Sequence, residues 1–427
     1  MTSSRRVENI KRLHGSLRVP GDKSASHRAL MISALASGPS TIEGLSPGED
    51  VASTSVIVQQ LGARRMDEGA LVTVVGPENG LHVSDHELNC GNSGTTMRLL
   101  CGVVSAIEGT HHLVGDPSLS KRPMDRVAAP LTLMGATVRG EGHRLNAPLE
   151  VDGSSSLRGI DYRVPTPSAQ VKSAILLAGL RADGETIVRE DVRTRTTTED
   201  MLTSAGISVT SADDALGRIV TLSAGRPRAT HWRIPGDPSQ AAFFCVLGAI
   251  HDDAHIEILD VDVAEERIGF VKVLQRMGAS LRRESREDGP ALVVESSELT
   301  STEIHSREIP SVDEVPVLAI AAAAARGVTA FRDMGELRVK ESDRFKGSMM
   351  LASLVGCRVW NEGDDFFIDG LGSAQLFANF SVEAGLDHRI VMSAAVAGIA
   401  GSGCSILGAE TVASSYPHFF DDLDALA

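Results

Sequence analysis

Apolar residues along this chain follow two alternating patterns. Ala- and Leu-rich runs with helical spacing give way to short stretches that alternate apolar and polar, as half-buried strands do. Five helical runs end in a glycine, at Leu61-Gly62-Ala63, Met134-Gly135-Ala136, Ala205-Gly206-Ile207, Met277-Gly278-Ala279 and Val355-Gly356-Cys357. Glycine there suits a left-handed helix cap. Each is followed by a short apolar strand, a polar turn and a second strand, as in residues 136–151. Successive glycines are roughly seventy residues apart.

A second marker has the same period. Six turn segments join a β-rich end to a helical run: Arg18-Val-Pro-Gly-Asp-Lys-Ser-Ala-Ser-His-Arg28, Cys90-Gly-Asn-Ser-Gly-Thr-Thr-Met-Arg98, Arg163-Val-Pro-Thr-Pro-Ser-Ala-Gln-Val-Lys172, Arg233-Ile-Pro-Gly-Asp-Pro-Ser-Gln240, Arg307-Glu-Ile-Pro-Ser-Val-Asp-Glu314 and Glu383-Ala-Gly-Leu-Asp-His-Arg389. The first and fourth nearly match, half a chain apart. Repetition at fixed period points to an α/β architecture of six units in two halves. Each unit reads strand, loop, helix, then helix, glycine, strand, turn, strand.

The chain has 427 residues, which exceeds one core and agrees with two domains. Aromatics are scarce, so the core is expected from Val, Ile, Leu, Ala and Met. No apolar run approaches a membrane span, and no secretory signal is evident at the start. Five scattered cysteines form no Cys-x-x-Cys, which suits a reducing cytoplasm and neither a disulfide framework nor a zinc site. The net charge of −15 argues against a nucleic-acid surface. Against that acidic background, Lys23, Arg28, Arg98, Lys172, Lys340, Arg344 and Arg389 sit in or near the turn segments. They suggest a focused anion site, or simply solvated charges.

Helix N-termini present free N–H groups to anions, and Lys23, Ser24 and Arg28 stand at one such start. Ser24 is also a candidate cap. Gly91 and Gly94 permit close backbone approach, with Asn92, Thr95, Thr96 and Arg98 beside them. Residues 115–120 read as a mobile loop with Arg122 as its reaching charge. Ser168, Ala169 and Gln170 open a further helix and offer neutral donors, or capping alone. Asp313 and Glu314 sit at another helix start. Lys340, Glu341 and Arg344 share a helix face, either as a tuned acid among cations or as an exposed charge ladder. His111-His112 has no third ligand at plausible spacing and reads as surface.

At Val19-Pro-Gly-Asp-Lys-Ser24, Gly91-Asn-Ser-Gly-Thr-Thr-Met-Arg98, Lys121-Arg-Pro-Met124, Ser168-Ala-Gln-Val-Lys-Ser173, Leu337-Arg-Val-Lys-Glu-Ser-Asp-Arg344 and Asp387-His-Arg389, the chain resembles the 5-enolpyruvylshikimate-3-phosphate synthase family. The resemblance runs in order from about Gly15 to Leu423. It implies two similar domains, each of three β-α-β-α-β-β-type units, an inside-out α/β barrel with a pseudo six-fold repeat. A two-stranded hinge near Val19-Pro20 and Ile234-Pro235 would join residues 21–235 to a domain of 1–20 with 236–427. It implies transfer of the enolpyruvyl group of phosphoenolpyruvate to the 5-hydroxyl of shikimate 3-phosphate, in a cytoplasmic monomer acting without cofactor or metal. Partners would be small anionic substrates, with neither nucleic acid nor membrane.

Carried over by motif, Lys23, Gly94, Thr95, Arg122, Gln170, Arg344 and Arg389 would hold phosphoenolpyruvate. Ser24, Arg28, Ser168, Ala169, Gln170, Arg195, Asp313 and Lys340 would hold the acceptor. Asp313 would orient and deprotonate the acceptor hydroxyl, Glu341 would protonate C3, and Lys23 would assist proton movement. Domain closure would assemble these residues, and glyphosate, the family's inhibitor, would compete with the donor. The family usually reads Ser-Arg-Asp-His-Thr-Glu around this arginine, and here Thr194-Arg195-Thr196-Thr197-Thr198-Glu199 stands. Ala25, Pro238 and Ser414 also depart from the pattern. The Arg195 changes border the acceptor side. They leave a second reading open, an enolpyruvyl transferase of specialised metabolism with another phosphorylated acceptor, such as a nucleotide.

Overall fold

The computed structural model describes residues 4–309 and 311–427; Pro310 of the fifth turn segment and residues 1–3 lie outside them. The chain divides into two compact units, Lys23–Ile234 and Met1–Asp22 with Pro235–Ala427, each with its own buried apolar cluster.

One repeat shows the pattern. Strand Asp161–Arg163 leads into helix Ala169–Gly179, which returns to the parallel strand Thr186–Glu190. Helix Thr197–Ser204 follows, then the hairpin of Val209–Asp214 and Gly217–Leu222, whose second strand pairs antiparallel with Thr186–Glu190. The same four-stranded order recurs around Gly109–Val114 and around Pro39–Glu43, where His231–Arg233 supplies the parallel edge. In the other unit it recurs around Ala254–Ile258, with Leu13–Leu17 as parallel edge, and around Arg326–Arg332. The sixth repeat departs. After Cys404–Leu407 the chain forms a 3-10 turn, Ala409–Ser414, and helix Phe419–Asp424, and the N-terminal strand Ser4–Val7 pairs where a hairpin was expected. Among the described residues the fold is mixed α/β with six separate small sheets.

Helices Pro238–Ile250, Val315–Ala324 and His388–Ala400 are buried along their whole length, which suits their largely apolar sequence. Helix Gly269–Arg276 buries one face and reads as a stripe. The five helix-ending glycines all take positive φ, at 105°, 112°, 81°, 102° and 111° in chain order. A side chain would be strained there.

The two matching turn segments meet. Gly21 and Gly236 bridge antiparallel; Asp22 N–H donates to Pro235 O and Asp237 N–H to Pro20 O, both at 2.8 Å. Buried Arg267 ion-pairs with Asp22 and, at 3.3 Å, with Asp237. Among the described residues, no helix is long and apolar enough to cross a membrane.

Candidate active site

In the unit Lys23–Ile234, buried helices begin at Lys23, Gly94 and Ala169. Lys23 Nζ lies 2.8 Å from Asp50 Oδ2. Ser24 is the second residue of its helix, inside it rather than at a cap. Arg28, one turn on and buried, donates to Ser24 O at 2.9 Å, Thr198 Oγ1 at 2.6 Å and Ser173 Oγ at 2.7 Å. Arg195 Nη1 approaches Ser24 Oγ at 3.5 Å.

Ser93 caps the second helix by accepting from Thr96 N–H at 3.1 Å. A methyl group on Gly94 would stand 2.7 Å from Arg98 Nη1 and 3.0 Å from Arg122 Nη1, so both guanidiniums crowd this turn. Arg98 Nη1 donates to Gln170 Oε1 at 3.0 Å, and Gln170 Nε2 donates to Thr95 Oγ1 at 2.9 Å. Arg122 Nη2 donates to Asn92 Oδ1 at 2.9 Å. The loop expected to be mobile is tied down. Asp116 N–H donates to Gly91 O at 2.8 Å, Asp116 Oδ1 accepts from Leu119 N–H at 2.7 Å, and Leu119 and Arg122 are buried. Ser168 caps the third helix, accepting from Val171 N–H at 3.3 Å, so Ala169 and Gln170 are its first two residues. His111, expected on the surface, is buried instead; its Nε2 donates to Ile107 O at 3.1 Å, and burial pulls its pKa down.

In the other unit, residues 337–344 are not one helix. Gly335–Val339 is a 3-10 turn, and helix Arg344–Leu354 starts afresh with Asp343 accepting from Lys346 N–H at 3.1 Å. The expected charge ladder is therefore replaced by a cluster around Arg344, whose side chain is 1% exposed. Its Nε is 2.8 Å from Asp387 Oδ2, its Nη2 2.7 Å from Glu341 Oε2 and its Nη1 2.9 Å from Asp313 Oδ1. Lys340 Nζ is 3.9 Å from Asp313 Oδ1, and Arg389 Nη2 is 3.8 Å from Asp313 Oδ2. Burial pushes the Asp313 carboxyl up, but Arg389, Lys340 and Arg344 together outweigh it and hold the group well below the usual carboxylate range. Asp387 is likewise raised by burial and lowered further by Arg344. It also caps its helix, accepting from Arg389 N–H at 3.0 Å, and receives the Ser342 hydroxyl at 2.7 Å. Val312, just before Asp313, sits at φ 51°, a state that β-branched residues rarely adopt.

The caps differ between the units. Neutral Ser93 and Ser168 leave the positive helix ends available to a ligand anion, whereas Asp237 and Asp387 neutralise theirs. The residues expected to hold the donor, and those expected to hold the acceptor, are drawn from both units. Sequence reasoning missed Asp50, Asp387 and the orienting contact of Arg98 on Gln170. Only Asp387 left a signal, an Asp two residues before Arg389 at a helix start.

The α/β repeat is the fold of the enolpyruvyl transferases. The enolpyruvyl transferase NikO from Streptomyces tendae has the same fold, with TM-score 0.77 and 19% identity over 99% of this chain and 96% of that one. EPSP synthase from Acinetobacter baumannii is nearer, with TM-score 0.86 and 37% identity over 100% of this chain and 98% of its own. The family model of EPSP synthase (3-phosphoshikimate 1-carboxyvinyltransferase) matches residues 7–423. The 3-phosphoshikimate 1-carboxyvinyltransferase of Bacillus thuringiensis subsp. konkukian is 41% identical over 424 residues, 97% of each chain. The chain belongs to the EPSP synthase family, an enzyme family acting on small anionic substrates in the shikimate pathway.

Proposed function

We propose that this enzyme joins phosphoenolpyruvate to the 5-hydroxyl of shikimate 3-phosphate through a tetrahedral ketal that collapses with release of phosphate. The acceptor phosphate and ring bind at Ser24, Arg28, Ser168, Ala169, Gln170 and Arg195, with Asp313 and Lys340 completing the set. The serine-capped helix ends favour that placement. Lys23, Gly94, Thr95, Arg122, Gln170, Arg344 and Arg389 hold the donor, and ligand binding engages both units.

The cluster around Asp313 carries the mechanistic part of this reading. Three cations make its carboxylate a weak base before ligands arrive. A donor carboxylate and phosphate need those same cations. As Arg344 and Arg389 turn to the donor, Asp313 gains basicity beside the hydroxyl it deprotonates. Glu341 delivers a proton to C3 of the donor as the acceptor oxygen bonds to C2; in the collapse the C2–O bond to phosphate breaks and C3 returns a proton to the Glu341 carboxylate as the alkene re-forms. Lys23 assists proton movement at the donor.

Glu341→Gln tests this assignment. Ligand binding is expected to survive while turnover falls about 100-fold or more, together with deuterium entry at C3 in heavy water. Near-normal turnover removes Glu341 from the role. A reducing cytoplasm completes the proposal, supported by five buried thiols that form no disulfide; monomeric action is proposed from the family resemblance.

A further inference from the structure

One buried ionic cluster has no part in the chemistry above. Lys172 is fully buried in helix Ala169–Gly179, with Nζ 2.8 Å from Glu190 Oε2 and 2.7 Å from Glu199 Oε1. Both carboxylates are buried as well. Burying one ammonium with two carboxylates is costly where an apolar contact would serve.

The positions of the two acids indicate what the cluster does. Glu190 is the last residue of strand Thr186–Glu190, and Glu199 lies in the first turn of helix Thr197–Ser204. They stand at the two ends of the connection 191–196, which carries Arg195. The Thr194 hydroxyl donates to Glu190 Oε1, tethering the residue next to Arg195 directly to the cluster. At the other end, Thr198 beside Glu199 accepts from Arg28 Nε and shares a 2.6 Å hydrogen bond with Ser173, the neighbour of Lys172. The opening of the acceptor helix, the Arg195 connection and Arg28 thus share one anchored network.

Resting on the functional reading above, we propose that Lys172 is a positioning residue: through Glu190 and Glu199 it fixes both ends of the Arg195 connection and so presets the acceptor-phosphate subsite. A loop ordered in advance loses less entropy when the phosphate binds. Lys172 acts through Arg195 and touches no substrate.

The test is steady-state kinetics with shikimate 3-phosphate and phosphoenolpyruvate. Lys172→Met is expected to raise the acceptor KM about tenfold, with kcat and donor KM within about twofold. Thr194→Val removes only the tether and leaves the buried ion cluster in place, so it serves even where Lys172→Met does not fold. It is expected to raise the acceptor KM roughly threefold in the native background and by less than about twofold in Arg195→Ala. Effects of Thr194→Val and Arg195→Ala that multiply, or donor and acceptor KM values that rise together, overturn the proposal alone. A native enzyme that releases no phosphate with shikimate 3-phosphate overturns the functional reading, and this proposal with it.

Discussion

Arg344→Met removes a guanidinium that touches Asp313, Glu341 and Asp387 together, at 2.9, 2.7 and 2.8 Å. Breaking a buried ion pair from one side costs ~3–5 kcal/mol. The structure places this case near the low end. Only Asp387 is fully buried, and it keeps the Ser342 hydroxyl and the Arg389 N–H. Asp313 and Glu341 are 26% and 19% exposed, and Asp313 keeps Lys340 and Arg389 nearby. The expected loss is therefore about 3 kcal/mol at neutral pH. Each unit holds one tryptophan, Trp232 in one and Trp360 in the other. Urea unfolding followed at Trp360, in a Trp232→Phe background, is expected to shift by that amount. The Trp232 transition, read in Trp360→Phe, should move by less than about 0.5 kcal/mol. The sign with pH is also fixed. Asp387 is held below its unfolded value by Arg344, so the stability this provides is present above that value and lost as pH falls from there through the lower folded value. The deficit of the variant should thus shrink below about pH 4. A loss under about 1 kcal/mol, or one that persists unchanged into acid, refutes the reasoning.

Lys23→Ala removes a charge-assisted donor contact of ~1.5–3 kcal/mol, so donor kcat/KM should fall about 10- to 150-fold; unchanged kinetics sink the assignment. Gly94→Ala puts a methyl group against the flexible tips of Arg98 and Arg122, so thermal stability should hold while donor KM rises roughly tenfold and glyphosate competes less well. Equal donor KM and glyphosate inhibition in both enzymes contradict that crowding. Asp313 is held low by Arg389, Lys340 and Arg344 against burial, so its contribution to folding is present at neutral pH and lost below about pH 4. Asp313→Asn should flatten that part of the acid-unfolding profile, and an unaltered profile counts against the cluster.

Features set by a few adjacent residues were legible in the sequence. The helix-ending glycines announce themselves because a left-handed cap needs glycine whatever surrounds it. The buried helices were legible as Ala- and Leu-rich runs with helical spacing. Features set by distant partners were not. Lys340 and Arg344 sit four apart and look helical, yet Asp343 restarts the helix between them and Arg344 turns inward to Asp387. The 115–120 loop reads as mobile from its Gly, Pro and Ser content, and only its bonds to Gly91 and the burial of Leu119 show it anchored. Asp50 meets Lys23 across 27 residues with no local pattern to betray it. Ser4–Val7 replaces the sixth hairpin from the far end of the chain, which no periodicity within the sixth repeat foretells.

The central claim is tested most directly by phosphate release from phosphoenolpyruvate with purified enzyme and shikimate 3-phosphate, with nucleotide monophosphates in parallel. Rapid release with shikimate 3-phosphate alone is the predicted result, and it shows that Thr196 and Thr197 beside Arg195 are compatible with that acceptor. Release only with a nucleotide contradicts the assigned acceptor and moves the same donor chemistry to another pathway.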